Sequence, residues 1–433
     1  MSNTTTVAAP DPTLPADLAA HAAATSAYTS REKWLVLTAA FLGWMFDGLE
    51  MGIFPQISRP ALTQLLALHG DPSQATLGWW NNLIAAMFLW GAALGGLVFG
   101  WLGDRVGRVR AMSISILVYS VFTGLLYFVQ SPGQIAGLRF IAAIGMGGEW
   151  ALGVALVMEV WDAKYRPLLA GLIGAASNVG FVMISALGAY IHIDQSNWRW
   201  VVLAGAAPAV LTFLVRIFVP ESHKWKESQR AAPSRPVREL LGDRKLSATT
   251  LLAILFASVA LLGTWGAVQN IAPWAGGMPS KTPKAIGLAG MVIGLGAIVG
   301  CLIAPVIAAV LNRRIAYFLL CLGSFVACHV LFRYFDDYTN GFLWMAFIVG
   351  GITAAFYGWL PLYLPELFPT RVRATAQGVA FNFGRIAAGF GAITGAMVGK
   401  DFAQIGIYVS LIYALGMIVI WFAPETKGRP LPE

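Results

Sequence analysis

Residues Trp34–Ile57 read WLVLTAAFLGWMFDGLEMGIFPQI. That is about the ~20 apolar residues a helix needs to cross a bilayer, yet Asp47 and Glu50 stand inside it. Three residues apart, both carboxylates project from one helical face, in the stripe Gly43, Asp47, Glu50, Phe54. A carboxylate at that depth is costly unless it is protonated, paired or wetted by a cavity. It is therefore either a polar pair that fixes the packing of a membrane bundle or a site where a proton is taken up and released.

The rest of the chain supplies the setting. Of 433 residues, 58% are hydrophobic and 12% charged, and the mean hydropathy is +0.68, which excludes an ordinary soluble domain. Sixteen Trp and 47 Gly suit helices packed closely in lipid with aromatic ends at the interfaces. A soluble enzyme would carry a motif around a nucleophile, metal or phosphate. No GxGxxG before a strand, no P-loop and no His/Cys cluster with ligand spacing is present, so neither an enzyme nor a metal or organic cofactor is expected. The net charge of +8 does not point to nucleic acid, because the basic residues are scattered in short loops between apolar spans. Cys301, Cys321 and Cys328 all lie in apolar spans and imply no disulfide framework.

Twelve spans are predicted: 34–57, 78–101, 111–129, 134–160, 167–193, 198–219, 248–273, 285–311, 315–335, 341–365, 374–399 and 405–423. The all-α organisation expected is a tail at 1–30, rich in Ala, Thr and Pro and read as disordered, a six-helix bundle at 31–219, and a polar central loop at 220–247. A second six-helix bundle follows at 248–423, with a tail at 424–433. With the N-terminus inside, the inner segments hold 20 of the 29 Lys and Arg, seven of them in the central loop. The outer loops hold Arg59, Lys281, Lys284 and Lys400. This imbalance places both termini in the cytoplasm.

The halves repeat each other. Glu159, Arg166 and Gly171 in MEVWDAKYRPLLAG match Glu366, Arg373 and Gly378 in PELFPTRVRATAQG at the same spacing. Pro220-Glu221-Ser222 closes the first half and Pro424-Glu425-Thr426 the second. Parallel repeats of six spans point to a transporter with its site between the halves near midplane. A channel would show pore loops or rings of charge.

GWLGDRVGRVR at 100–110 resembles the signature loop of the major facilitator superfamily, departing from it at Val109, where a second basic residue is common. RFIAAIGMGGEW at 139–150 resembles the family's Arg-plus-glycines motif, and PESHKW, PELFPTRVR and PETKG resemble segments of sugar porters. Asp47-Gly48-Leu49-Glu50 and the Gly-Gly-Glu-Trp ending at 147–150 are most similar to proton symporters for organic acids, the sialate, lactate and aromatic-acid groups among them. The resemblance covers nearly the whole chain. It implies twelve helices in two pseudo-symmetric bundles, transport by alternating access, and an inner-membrane protein.

Charged residues survive deep in the spans at five positions: Asp47, Glu50, Arg139, Glu149 and Arg385. At ~1.5 Å per residue, Asp47 lies roughly 15 Å and Arg139 roughly 8 Å from the outer ends of their helices. The resemblance to proton-coupled sugar porters implies an Asp47–Arg139 pair, either a switch for a coupling proton or a permanent ion pair. Arg385, roughly 16 Å from the inner end, either holds a substrate carboxylate through its planar fork or bridges to Glu149. Asn382 precedes it, the repeat sets Asn178 opposite it, and Gln269, Asn270, Tyr357 and Trp359 are further candidates for the same cavity. In this superfamily the loop carrying Asp104, Arg105, Gly107 and Arg108 is a gate, with Asp104 on the positive N-terminus of a neighbouring helix. Glu159, Arg166, Glu366 and Arg373 would complete the inner charge network. Leu311-Asn312-Arg313-Arg314 lacks the loop's pattern, so gating is expected to be asymmetric. Glycines at four-residue spacing (Gly91, Gly95 and Gly96, Gly100; Gly290, Gly294 and Gly296, Gly300; Gly391, Gly395, Gly399) let helices approach. His192 and His329 read as packed.

The expected function is import of a small organic anion, a monocarboxylate, with a proton as the coupling ion and no other cofactor, by a monomer in the lipid bilayer. The alternatives are a proton–sugar symporter, in which the sugar porters' Gln-Gln motif is reduced to Gln269-Asn270, and a nontransporting sensor on a transporter fold.

Overall fold

The computed structural model describes residues 28–68, 73–191, 193–207, 218–231, 235–282, 284–398 and 402–432. Most of the predicted N-terminal tail, His192, Lys400, Gly399 and much of the sixth span lie outside the described residues. The first half contains α1 (Ser30–Ala67), α2 (Gln74–Val106), α3 (Arg108–Leu125), α4 (Pro132–Val160), α5 (Arg166–Tyr190) and the start of the sixth span, α6 (Trp198–Leu203). Two short helices, α7 (His223–Ala231) and α8 (Pro236–Gly242), occupy the central segment. The second half contains α9 (Arg244–Gly266) with its continuation α10 (Ile271–Ala275), α11 (Ala285–Val310), α12 (Arg313–Tyr334), α13 (Asn340–Leu367) and α14 (Arg373–Val398). It ends in a last span broken at Leu411 into α15 (Phe402–Ser410) and α16 (Ile412–Val419). Ten of these segments are long and apolar enough to cross a membrane on length and composition. The architecture is the twelve-span, two-bundle arrangement expected.

Polar caps start the helices where the apolar runs begin. Thr29 and Glu32 form a reciprocal capping box on α1. Ser131 caps α4 ahead of Pro132, Asn312 caps α12, and Thr339 caps α13. Two expectations are corrected. The central segment folds into α7 and α8 where a plain loop was read, and α1 runs on through Pro55, Arg59 and Pro60 where an outer loop was read. Its last turns keep Leu62, Leu65 and Leu66 buried in one apolar cluster with Trp198 and Val202. Gln64 there accepts from Trp198 Nε1 and Arg199 Nη1, both at 2.7 Å.

The halves meet along two helix pairs. α2 packs on α14, where Gly96 and Gly378 face each other, and α5 packs on α11, where Gly171 meets Cys301 and Leu302. No side chain fits at Gly96, because a Cβ there would strike the Gly378 carbonyl and the Asn382 amide. Gly391, assigned to close packing from its spacing, has open space beside it. Within the halves α2 lies on α4 and α11 on α13, the same relation twice.

Candidate functional site

Between the halves lies a cavity. Its polar lining is Ser177, Asn178, Thr264, Gln269, Thr353, Tyr357 and Arg385, and its aromatic walls are Trp44, Phe181, Trp265 and Phe381. Arg385, on α14, is 2% exposed. Its Nη1 donates to Asn382 Oδ1 at 2.7 Å, and its guanidinium lies 5.6 Å from the Phe381 ring centre. Its Nε has no hydrogen-bond partner, and among the described residues it makes no ion pair. Asn382 in turn donates to the carbonyls of Gly147 at 2.7 Å and Gly378 at 3.0 Å, tying α14 to α4. Tyr357 donates to Thr264 Oγ1 at 2.8 Å.

The structure brings Asn178, Gln269, Tyr357 and Arg385 to the cavity as expected, and corrects four other assignments. Asn382 lies outside the lining, its amide spent on the Gly147 and Gly378 carbonyls and its Oδ1 on Arg385. Asn270 turns to the Gly266 carbonyl at 3.2 Å, outside the lining. Trp359 donates to the Arg313 carbonyl at 3.2 Å, near the end of the bundle. Glu149 neither lines the cavity nor pairs with Arg385; its carboxyl lies over Gly43 of α1. Trp44, Thr264, Thr353 and Phe381 went unnoticed because, within an apolar span, a lining aromatic or hydroxyl has the same sequence signature as a packed one.

The buried acids divide into two groups. Arg139 pairs with Glu50 at 3.0 Å, not with Asp47. The Phe54 and Phe88 rings flank the guanidinium at 4.8 and 4.9 Å, and Thr123 Oγ1 reaches Glu50 at 3.5 Å. The reason is depth. Glu50 lies one turn farther along α1, about 4.5 Å nearer the level of Arg139. Asp47 is left facing Glu149, carboxyl to carboxyl, with no donor of another residue on any of the four oxygens. Two buried carboxyls side by side with no donor are unfavourable as a pair of like charges.

A charge network closes the end of the bundle that carries the central segment. Asp104 accepts from Ala374 N at 3.3 Å, Thr375 N at 2.8 Å and Thr375 Oγ1 at 2.6 Å, and so caps the N-terminus of α14 across the halves. Arg108 bonds Asp104 at 2.8 Å, Glu159 at 3.3 Å and the Thr370 carbonyl at 2.8 Å. Glu159 also takes Arg373 at 3.0 Å, a second bridge between halves. Arg313 holds Glu366 with contacts of 3.0 and 2.6 Å, and the buried Arg166 lies in the field of Glu366. Arg105 stands apart from this network, exposed over the Trp101 ring at 5.2 Å. Gly107 turns the chain at φ 112°, and a Cβ there would meet the Glu221 carboxylate, which caps Arg108 N at 2.9 Å and Val109 N at 3.1 Å. α7 closes over the turn, with Trp225 Nε1 and Gln229 Nε2 both donating to the Asp104 carbonyl at 2.9 Å.

Membrane-crossing helices in two like halves, a cavity between them and a charge network joining the halves at one end are the frame of a membrane transporter. The chain belongs to the Major Facilitator Superfamily, whose family model matches residues 23–392. It is 29% identical over 412 residues to a cis,cis-muconate transport protein of Acinetobacter baylyi, covering 90% of this chain and 94% of that one. It is 28% identical over 433 residues to the inner membrane metabolite transport protein YgcS of Escherichia coli, covering 92% of each. Among solved structures it is similar to the proton:xylose symporter XylE bound to 6-bromo-6-deoxy-D-glucose. The TM-score is 0.76 at 18% identity, covering 93% of this chain and 98% of that one; at that identity the likeness is one of fold.

Proposed function

We propose that this protein imports a small organic anion, a monocarboxylate, together with a proton by alternating access. It would work as a monomer in the inner membrane with both termini in the cytoplasm, and with no cofactor besides the coupling proton. The observation that carries this reading is Arg385, a buried guanidinium on the cavity wall whose one hydrogen-bond partner among the described residues is a neutral amide. A cation at that depth is expensive; Asp47 lies in its field without a hydrogen bond to it, and a substrate carboxylate supplies charge and two acceptors. The relatedness to a muconate transport protein supports an acid as cargo. Asp47 and Glu149 would hold the proton, one wall away from the cavity. The excess of Lys and Arg on the side of the central segment supports placing that side in the cytoplasm.

The test is calorimetric titration of an acid and its neutral amide against wild type, Arg385→Lys and Arg385→Ala. Lys keeps the charge and loses the planar fork. Acid binding should weaken in that order, by about 2–4 kcal/mol for the Ala variant, roughly a hundredfold or more. The amide should bind all three about equally. Equal loss for both ligands would make Arg385 a structural residue and favour a sugar as cargo.

A further inference from the structure

A residue that lines the cavity from the opposite half carries a second unpartnered donor. Trp44 of α1 is 3% exposed and lines the cavity, and its Nε1 has no hydrogen-bond partner. A buried indole N–H ordinarily finds an acceptor, and leaving one without is unfavourable. Trp44 packs edge-on against Phe381, ring centres 6.1 Å apart at 70°. The Arg385 guanidinium lies 5.6 Å from that same ring, and its Nε is likewise unpartnered. Phe381 is itself held in place, stacked on Trp150 at 3.9 Å and 14°. One fixed ring therefore touches two side chains with an unpartnered N–H donor, one from each half of the molecule.

We propose that Trp44 is a specificity-determining residue, its indole N–H and the Arg385 guanidinium gripping one substrate carboxylate from the two halves. This inference rests on the organic-anion reading of the cavity. A carboxylate has two oxygens and only acceptor sites, so it satisfies a donor on each side. A primary amide turns its NH₂ toward one of the two donors and satisfies only the other. The grip joins α14 of the second half to α1 of the first, so binding draws the halves together. It also seats the substrate one helical turn from Asp47, the member of the proton pair that α1 carries.

The full-length protein is titrated with benzoate, nicotinate and cis,cis-muconate and with their amides, for wild type, Trp44→Phe, Trp44→His and Arg385→Lys. Phe keeps an aromatic ring against Phe381 and removes the N–H; His keeps an N–H on a smaller ring. Trp44→Phe should weaken the best-bound acid about ten- to a hundredfold, leave its amide within about twofold, and lose the preference for acid that Trp44→His keeps. Acid binding unchanged in Trp44→Phe, or acid and amide weakened alike in both Trp44 variants, would overturn the role of Trp44. Selective acid loss in Arg385→Lys would then leave the anion reading standing. No acid bound by wild type, or no acid–amide difference in Arg385→Lys, would overturn that reading and this inference with it.

Discussion

Asp47 and Glu50 are one turn apart on α1 and have opposite companions. Glu50 is neutralised by Arg139, a pair enclosed by two phenyl rings and a threonine. Removing either partner of such a buried pair costs about 3–5 kcal/mol, so it is a fixed element. Asp47 faces Glu149, with Glu50 and the Arg385 guanidinium also in its field; on the proposed reading that pair takes up and releases the coupling proton. Asp47→Asn keeps the shape and cannot exchange that proton. Proteoliposomes with Asp47→Asn should lose accumulation against a gradient while retaining substrate counterflow; proton-driven accumulation at the wild-type level would remove Asp47 from the coupling site. Sequence reasoning placed Asp47, Glu50, Arg139, Glu149 and Arg385 deep within their spans because rise per residue is constant in any helix. It assigned Arg139 to Asp47 because the resemblance to proton-coupled sugar porters implied that pair, although the same rise per residue sets Glu50 about 4.5 Å nearer the level of Arg139.

At the scale of elements, the spans were legible because ~20 apolar residues between caps have few alternatives in lipid. α7 and α8 were not, being short and polar, with their stabilising partners far away in sequence; Trp225 and Gln229 of α7 bind the Asp104 carbonyl. The end of α1 was missed because Pro55, Arg59 and Pro60 read as a break, although Leu62, Leu65 and Leu66 are buried there. The turn joining α2 to α3 depends on Gly107, whose φ of 112° and ψ of 152° belong to a region nearly confined to glycine. Gly107→Ala should therefore destabilise the protein by about 1–3 kcal/mol. It should also push the Glu221 carboxylate off the amides of Arg108 and Val109. Thermal unfolding of the purified protein reads this directly, and an unchanged melting temperature would show that the turn relaxes without strain.

The whole molecule is two copies of one plan with a difference at the gate. Glu221 caps Arg108 and Val109 while Ser222 donates to Glu159, and Glu425 caps Arg313 and Arg314 while Thr426 donates to Glu366. The environments differ: burial pushes the Glu221 carboxyl up. At Glu425 burial is outweighed by the backbone N–H groups of Lys427, Arg313 and Arg314, which hold it down. The larger asymmetry is the acid lock. Four residues before Arg108 stands Asp104; four before Arg313 stands Ala309, which has no carboxylate. Asp104 binds the free N–H groups of Ala374 and Thr375 after Arg373; the residue after Arg166 is Pro167, which has no N–H to offer. Both the acceptor and a donor of the lock are thus missing from the second copy, and the α2–α14 seam alone carries it. The expectation of asymmetric gating came from the lost loop motif. The Arg313–Glu366 half of the pattern survives because it needs only the spacing that the repeat retains. Asp104→Asn removes the charge and turns an amide group toward donors that need an acceptor. Loss of these contacts should amount to about 1–3 kcal/mol, roughly a five- to hundredfold change in the ratio of gate-open to gate-closed forms. Single cysteines at the two mouths should then label faster on the side of the central segment and more slowly on the far side, with acid binding in the cavity preserved. Unchanged labelling at both mouths, together with normal transport, would mean that Glu159 and its bridges to Arg108 and Arg373 close the gate without help from Asp104.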